Sequence, residues 1–198
     1  MNLNRKIKRF LKIQPHDTSP YCSAYKIKRT DLIQIFKMAG FKHGAEIGVN
    51  KANHSLAICQ IIPDINLICV DPWKAYIKRN NSQQQERCYQ EAKEKLSNYN
   101  IKFIKDTSLN AVKTIADGSL DFVYIDGDHT FDACISDLVA WAPKVKIGGI
   151  VAGHDYVQRY MFGVIEAVNA YTRAHNIFEW YLLKGKEPTF FWVKKHND

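Results

Sequence analysis

Residues 120–155 read LDFVYIDGDHTFDACISDLVAWAPKVKIGGIVAGHD. Leu120–Ile125 is a short apolar run that stops at Asp126, and Phe131–Ala142 carries its apolar residues at helical spacing. Gly148–Ala152 is apolar again and stops before His154-Asp155. Strand, helix, strand in so short a span is a βαβ unit, whose two strands lie parallel. The alternation continues outward on both sides. Upstream lie Ala45–Val49, a helix Ser55–Ile62 ended by Pro63, Leu67–Val70 closed by Asp71-Pro72, and a polar helix over about Gln83–Tyr99. Lys102–Ile104 then leads to Asp106 and a helix around Leu109–Ala116; downstream, a helix spans Gln158–Ala174. Five short strands alternating with helices predict an α/β fold, an open and mostly parallel sheet covered on both faces. The tail departs from the pattern. Phe178–Leu183 and Thr189–Val193 are aromatic, β-prone runs, and Lys184–Pro188 is too short for a crossover, so a C-terminal antiparallel hairpin is expected.

A chain of 198 residues, 46% hydrophobic and 24% charged, suits one soluble domain. No apolar run approaches the roughly 18 residues that span a bilayer. The N-terminus lacks the apolar stretch and small-residue cleavage site of a secretory signal. Five cysteines, scattered and without a C-x-x-C pair, predict neither a zinc site nor a disulfide framework; a reducing, cytoplasmic setting is expected. The net charge of +8 is uneven. Residues 1–42 hold ten basic and two acidic residues, whereas residues 43–198 hold 18 of each. The basic excess therefore marks an arm, not a nucleic-acid-binding surface, and no nucleic-acid partner is expected. The chain divides into a basic N-terminal helical arm, 1–43, and a domain, 44–198. In Met1–Ile13, Leu3, Ile7, Phe10 and Leu11 fall at helical spacing among Arg5, Lys6, Lys8, Arg9 and Lys12. Such a helix either docks its apolar stripe on the core or makes weak contact with an anionic membrane surface. A second helix, Lys28–Ala39, ends at Gly40.

Ligands of open α/β sheets bind at the carboxyl ends of the strands. Those ends are Glu46-Ile-Gly48, Asp71-Pro72-Trp73, Asp106-Thr107-Ser108, Asp126-Gly127-Asp128-His129 and Gly153-His154-Asp155. Each delivers a carboxylate to one rim, which helix capping alone does not account for. Asp71 follows the first strand by about one βαβ unit, where an acidic side chain accepts hydrogen bonds from a ribose diol. Trp73 either packs on an adenine face or belongs to the core. The first turn, Gly48-Val49-Asn50-Lys51-Ala52, lacks the G-x-G-x-x-G that brings backbone close to a pyrophosphate. An adenosyl ligand without phosphates suits the rim better than a dinucleotide.

Ala45-Glu-Ile-Gly-Val49, Val70-Asp-Pro-Trp73, Asp106-Thr-Ser108, Tyr124-Ile-Asp-Gly-Asp-His-Thr130 and Lys146–Tyr156 together resemble class I S-adenosylmethionine (SAM)-dependent methyltransferases. The branch they are most similar to is that of small O-methyltransferases acting on sugar and related hydroxyls, including macrolide-sugar enzymes. The resemblance covers about Gly44–Lys194 and implies the Rossmann-like, seven-strand methyltransferase fold, with 44–198 as a SAM-binding domain. It implies that Glu46, Gly48, Val49 and Asn50 line the methionine and ribose region, and that Asp71 holds the ribose hydroxyls beside Pro72 and Trp73. It places Asp106, Thr107 and Ser108 near adenine, with Asp126, Gly127 and His129 closing the pocket. In metal-dependent members, acidic residues at the positions of Asp126, His154 and Asp155 bind Mg2+, and a histidine at the position of His129 is the base. The chain departs from that pattern twice: Ala52 stands where a second glycine is common, and His154 where a carboxylate is common.

Methyl transfer from a sulfonium is an in-line displacement governed by positioning. An alkyl hydroxyl needs help to lose its proton, so His129, Asp126 and His154 are the catalytic candidates and a small-molecule or glycan acceptor is expected. Two other classes fit parts of the sequence. Asp126-Gly127-Asp128 is a D-x-D that would hold a divalent ion in a nucleotide-sugar glycosyltransferase. Ala52 and His154 would suit a non-catalytic SAM-binding module.

Overall fold

The computed structural model describes residues 3–23, 29–75, 82–185 and 187–196. Eight strands form one sheet: β1 (Tyr21–Cys22), β2 (His43–Ile47), β3 (Asn66–Val70), β4 (Ile101–Ile104), β5 (Leu120–Ile125), β6 (Val145–Gly153), β7 (Trp180–Leu183) and β8 (Thr189–Val193). Their order is β1-β7-β8-β6-β5-β2-β3-β4, and β8 alone runs antiparallel, against both β6 and β7. The expected parallel core and terminal hairpin are both present. The eighth strand was not expected: Tyr21–Cys22 extends the sheet by pairing parallel to β7. Two residues are too few to show a periodicity.

Seven helices cover the two faces: α1 (Leu3–Phe10), α2 (Thr30–Ala39), α3 (Asn53–Ile61), α4 (Ser82–Lys95), α5 (Ser108–Ala111), α6 (Phe131–Trp141) and α7 (Val164–Ala174). The alternation along β5 shows how they divide. Phe122 and Tyr124 join a core with Ile7, Leu32, Phe36 and Ile58 from α1, α2 and α3. Val123 and Ile125 join a second core with Leu138, Trp141 and Val168 from α6 and α7. The period-2 strand geometry thus separates two buried layers.

The N-terminal residues are woven into this architecture. Ile7 and Leu11 are fully buried, so the stripe of α1 docks on the core while Arg5 stays exposed. Lys8 and Lys195 both pair with Glu179 at the start of β7, and Asn4 donates to the same carboxylate. Helix α7 begins six residues later than expected. Residues 154–163 instead form a loop whose Gly163 N–H donates to the His129 carbonyl at 2.8 Å. Among the described residues, no helix is long and apolar enough to cross a membrane. All five cysteines are free.

Candidate active site

The parallel strands bring every predicted rim segment to one edge of the sheet. Gly48 sits at φ +88°, and a Cβ there would lie 2.1 Å from the Asp126 carbonyl oxygen. Only glycine lets the β2–α3 turn pass so close to the end of β5. Asn50 and Ala52 follow at φ 49° and 57°, so Ala52 keeps the left-handed backbone that a glycine would take there. Trp73 and Asp155, just beyond the ends of β3 and β6, also have positive φ. Left-handed conformations cost a non-glycine residue about 1–2 kcal/mol each. Their concentration at one rim marks a backbone shaped for a ligand.

Asp71 ties this turn together. Its Oδ2 accepts the backbone N–H groups of Val49 at 3.1 Å and Asn50 at 2.9 Å, and its Oδ1 accepts that of Trp73 at 2.7 Å. Burial pushes the Asp71 carboxyl up, and the three amides pull it partly back. A carboxylate oxygen offers two lone pairs. Oδ2 is therefore filled, and Oδ1 keeps one acceptor position for a ribose hydroxyl. Trp73 is 3% exposed, packs on Tyr89 with centroids 4.6 Å apart, and donates Nε1–H to the Asn50 carbonyl at 2.9 Å. Of the two roles open to it, the geometry is that of a core residue backing the turn, as Pro72 leads into it.

Glu46 faces the α1–α3 layer, not an open pocket. One oxygen lies 3.1 Å from His54 Nδ1, the other accepts Ser55 Oγ–H, and the side chain is 1% exposed. The third strand end is also occupied locally. Asp106 accepts from Thr107 N–H and Asn110 and is exposed, which is a helix-start role. Ser108 donates to Asp137 Oδ1 and accepts Trp141 Nε1–H at 2.7 Å. Asp137 was not anticipated. Burial pushes its carboxyl to about 6. The sequence signal was an aspartate on the face of α6 that also carries Cys134, Leu138 and Trp141.

Asp126, His129, His154 and Asp155 come together beyond β5 and β6. His129 Nε2 is bonded to Asp155 Oδ2 and lies 3.7 Å from Asp126 Oδ1. Its ring packs on Phe162, centroids 4.7 Å apart. His154 Nδ1 is 3.8 Å from Asp126 Oδ1 and 3.5 Å from Asp155 Oδ1, which is buried without a hydrogen-bond donor. Burial pushes the Asp126 carboxyl up to about 6, with His154 and Arg29 acting against it. Burial also acts on the other two groups, but the hydrogen bond between them prevails: Asp155 falls well below the usual carboxylate range and His129 is raised. Asp128 is exposed, and one of its oxygens accepts the Thr130 N–H at 2.9 Å at the start of α6. The D-x-D pair is thus divided between an Asp126 bound to Arg29 and an Asp128 used locally. A small cavity of about 10 Å³ reaches Asp126, His129, His154 and Cys134, whereas a larger one of about 240 Å³ lies at the other end of β8 beside Ile177 and Trp192.

A second residue was missed. Arg29, in the turn before α2, donates Nη1–H to Asp126 Oδ2 at 3.0 Å. Nothing local in the sequence links positions 97 residues apart. From sequence, the segment Lys74–Glu91, with Tyr76, Arg79 and Gln83–Gln85, is expected over the site as a contact for a polar acceptor; Tyr76 and Arg79 lie outside the described residues.

The donor set can be tested against the ligands the resemblance implies. For SAM the turn fits: it has the glycine crossing, the free Asp71 lone pair, and no phosphate cradle. For Mg2+ the fit is poor. Mg2+ takes oxygen donors in a near-ideal octahedron at about 2.1 Å, which places neighbouring donors about 3 Å apart. Here the third donor is an imidazole nitrogen, the spacings are 3.5 and 3.8 Å, and each carboxylate already has a partner in Arg29 or His129.

Comparison with known proteins agrees with the fold. The O-methyltransferase TomG from Streptomyces achromogenes, solved with SAM, superposes with a TM-score of 0.60 at 13% identity, covering 83% of this chain and 78% of that one. A Bacillus cereus O-methyltransferase solved with S-adenosylhomocysteine gives 0.63 at 11% identity, covering 96% and 89%. A Staphylococcus aureus protein assigned as a caffeoyl-CoA O-methyltransferase gives 0.63 at 18%, covering 96% and 90%. No curated protein sequence matches the chain. The family model of the methyltransferase domain matches residues 45–156, the span from the Glu46 strand to the His154-Asp155 end, and the chain thus belongs to that family and has the class I SAM-dependent methyltransferase fold.

Proposed function

We propose that this methyltransferase moves the methyl group of SAM to a hydroxyl of a small polar acceptor, a sugar hydroxyl being the acceptor class its sequence resembles. The observation that carries the reading is the His129–Asp155 pair beside the Gly48 turn. When bound, SAM supplies a sulfonium methyl open to in-line attack. The residues of the chain do the rest. Asp71 would take a ribose hydroxyl through Oδ1, and the Gly48–Ala52 turn would face the methionine end. Val49, Asn50, Gly127 and Ser108 shape the walls. With Nε2–H donated to Asp155, the neutral His129 ring carries its lone pair on Nδ1, the atom that takes the acceptor proton. Asp155 fixes that tautomer and stabilises the imidazolium, as in hydrolase His–Asp pairs. Asp126 and His154 complete the polar wall. No step is routed through Mg2+.

The glycosyltransferase reading loses its support where Asp128 turns to Thr130. A non-catalytic SAM-binding module would have no need of the raised His129 beside a depressed Asp155. Calorimetric titration of SAM, a UDP-sugar and NAD side by side tests the reading. SAM should bind and the other two should not; binding of a UDP-sugar in preference to SAM would overturn it. Acceptor hydroxyls are then screened by transfer of a labelled methyl group.

A further inference from the structure

The misfit with Mg2+ has a cause in the chain itself. Asp126 stands at the position where metal-dependent relatives hold their cation, and here a guanidinium already occupies one of its oxygens. Arg29 comes from outside the matched span of 45–156. Its side chain is only 34% exposed and that of Asp126 17%, so the pair is largely shielded from water, where Coulomb forces are strong. A dication bound by Asp126, His154 and Asp155 would sit beside this fixed positive charge. It would also compete with the His129 ring for Asp155. Both carboxylates of the cluster already have partners without it, Asp126 in the Arg29 guanidinium and Asp155 in the His129 ring.

We propose that Arg29 is the resident cation of this active site: the N-terminal segment inserts a guanidinium where a divalent ion would otherwise bind, so the site works without metal. The proposal rests on the methyltransferase reading for its catalytic meaning. A guanidinium forms up to five N–H bonds in a fixed fork. With Nη1 spent on Asp126, other donors of the fork can stabilise the acceptor oxygen as His129 removes its proton.

The test uses the full chain and Mn2+ alone, followed by calorimetry and by paramagnetic broadening of the histidine ring signals. The wild type should take up no Mn2+. Arg29→Gln, which removes the charge, should bind one Mn2+ per chain at least about tenfold more tightly, with His154 signals broadened. Arg29→Lys keeps the charge and should exclude the ion as the wild type does. Equal Mn2+ binding by wild type and Arg29→Gln would overturn the proposal, and so would binding by neither. If Arg29→Gln fails to fold, the wild type decides: specific broadening of His129 and His154 by Mn2+ would sink the idea. SAM affinity, measured in parallel, reports on the methyltransferase reading independently.

Discussion

Asp71 and Asn50 are joined by a hydrogen bond of 2.9 Å that couples the end of β3 to the turn after β2, so the carboxylate proposed to take the ribose also shapes the turn. Asp71→Ala should therefore do two things. SAM affinity should fall markedly, and the fold should lose about 1–3 kcal/mol because three backbone N–H groups lose their acceptor. Calorimetry and denaturant unfolding measure the two separately. An affinity unchanged in the mutant would remove Asp71 from the pocket.

His129→Ala should lower turnover by about two to four orders of magnitude, the usual worth of a positioned base, with SAM affinity nearly intact. Single-turnover transfer to an accepted hydroxyl measures it. Asp155→Asn should also slow the step, since the amide can hold the wrong tautomer. A fully active His129→Ala enzyme would move the base elsewhere.

The same pair sets a pH dependence. His129 is raised above its ordinary 6.5, so the neutral base forms only as pH climbs past that value, and turnover should rise with a midpoint above 6.5. For stability, the raised histidine contributes below its unfolded value and its share is lost as pH rises through the folded one. Asp155, depressed from 3.8, contributes above that value and loses its share as pH falls below it. The pair thus stabilises most between about 3.8 and 6.5, with the histidine share fading above 6.5. NMR titration of the His129 ring checks the position, and Asp155→Asn should shift it downward.

Gly48→Ala should be poorly tolerated, because its Cβ would meet the Asp126 carbonyl oxygen at 2.1 Å and φ +88° suits only glycine well. The turn must move away from β5, so SAM binding should fall even in protein that still folds. Near-normal affinity in this variant would show that the crossing does not shape the pocket.

Leu11→Ala should cost about 2–4 kcal/mol, the usual range for emptying a buried leucine site, since Leu11 is fully buried. Urea unfolding measures it. Removal of residues 1–13 should destabilise the fold further, for the deletion strips both Ile7 and Leu11 from the core.

The five central parallel strands were legible because each is a short apolar run with a carboxylate at or near its carboxyl end, and β5 and β8 begin and end where the residues predict. Asp126, His129, His154 and Asp155 were legible for the same reason: strand ends converge in a parallel sheet. What stayed hidden depends on distance in the chain or on competition for hydrogen bonds. The Arg29–Asp126 pair has no local pattern. Asp106 and Asp128 carry the right residue type at the right strand ends, yet nearby N–H groups claim both. Residues 154–163 share the composition of a helix, but contacts with His129 and Phe131 hold them as a loop.

Strand β8 is translated after every other strand, yet it lies inside the sheet, between β6 and β7. Until it emerges from the ribosome, Val145–Gly153 has a row of unpaired backbone groups along one side, open to any passing chain. The sheet cannot zip up in the order of synthesis. A nascent chain must hold its centre open until Thr189–Val193 has been made, and in that interval the unpaired edges invite mispairing.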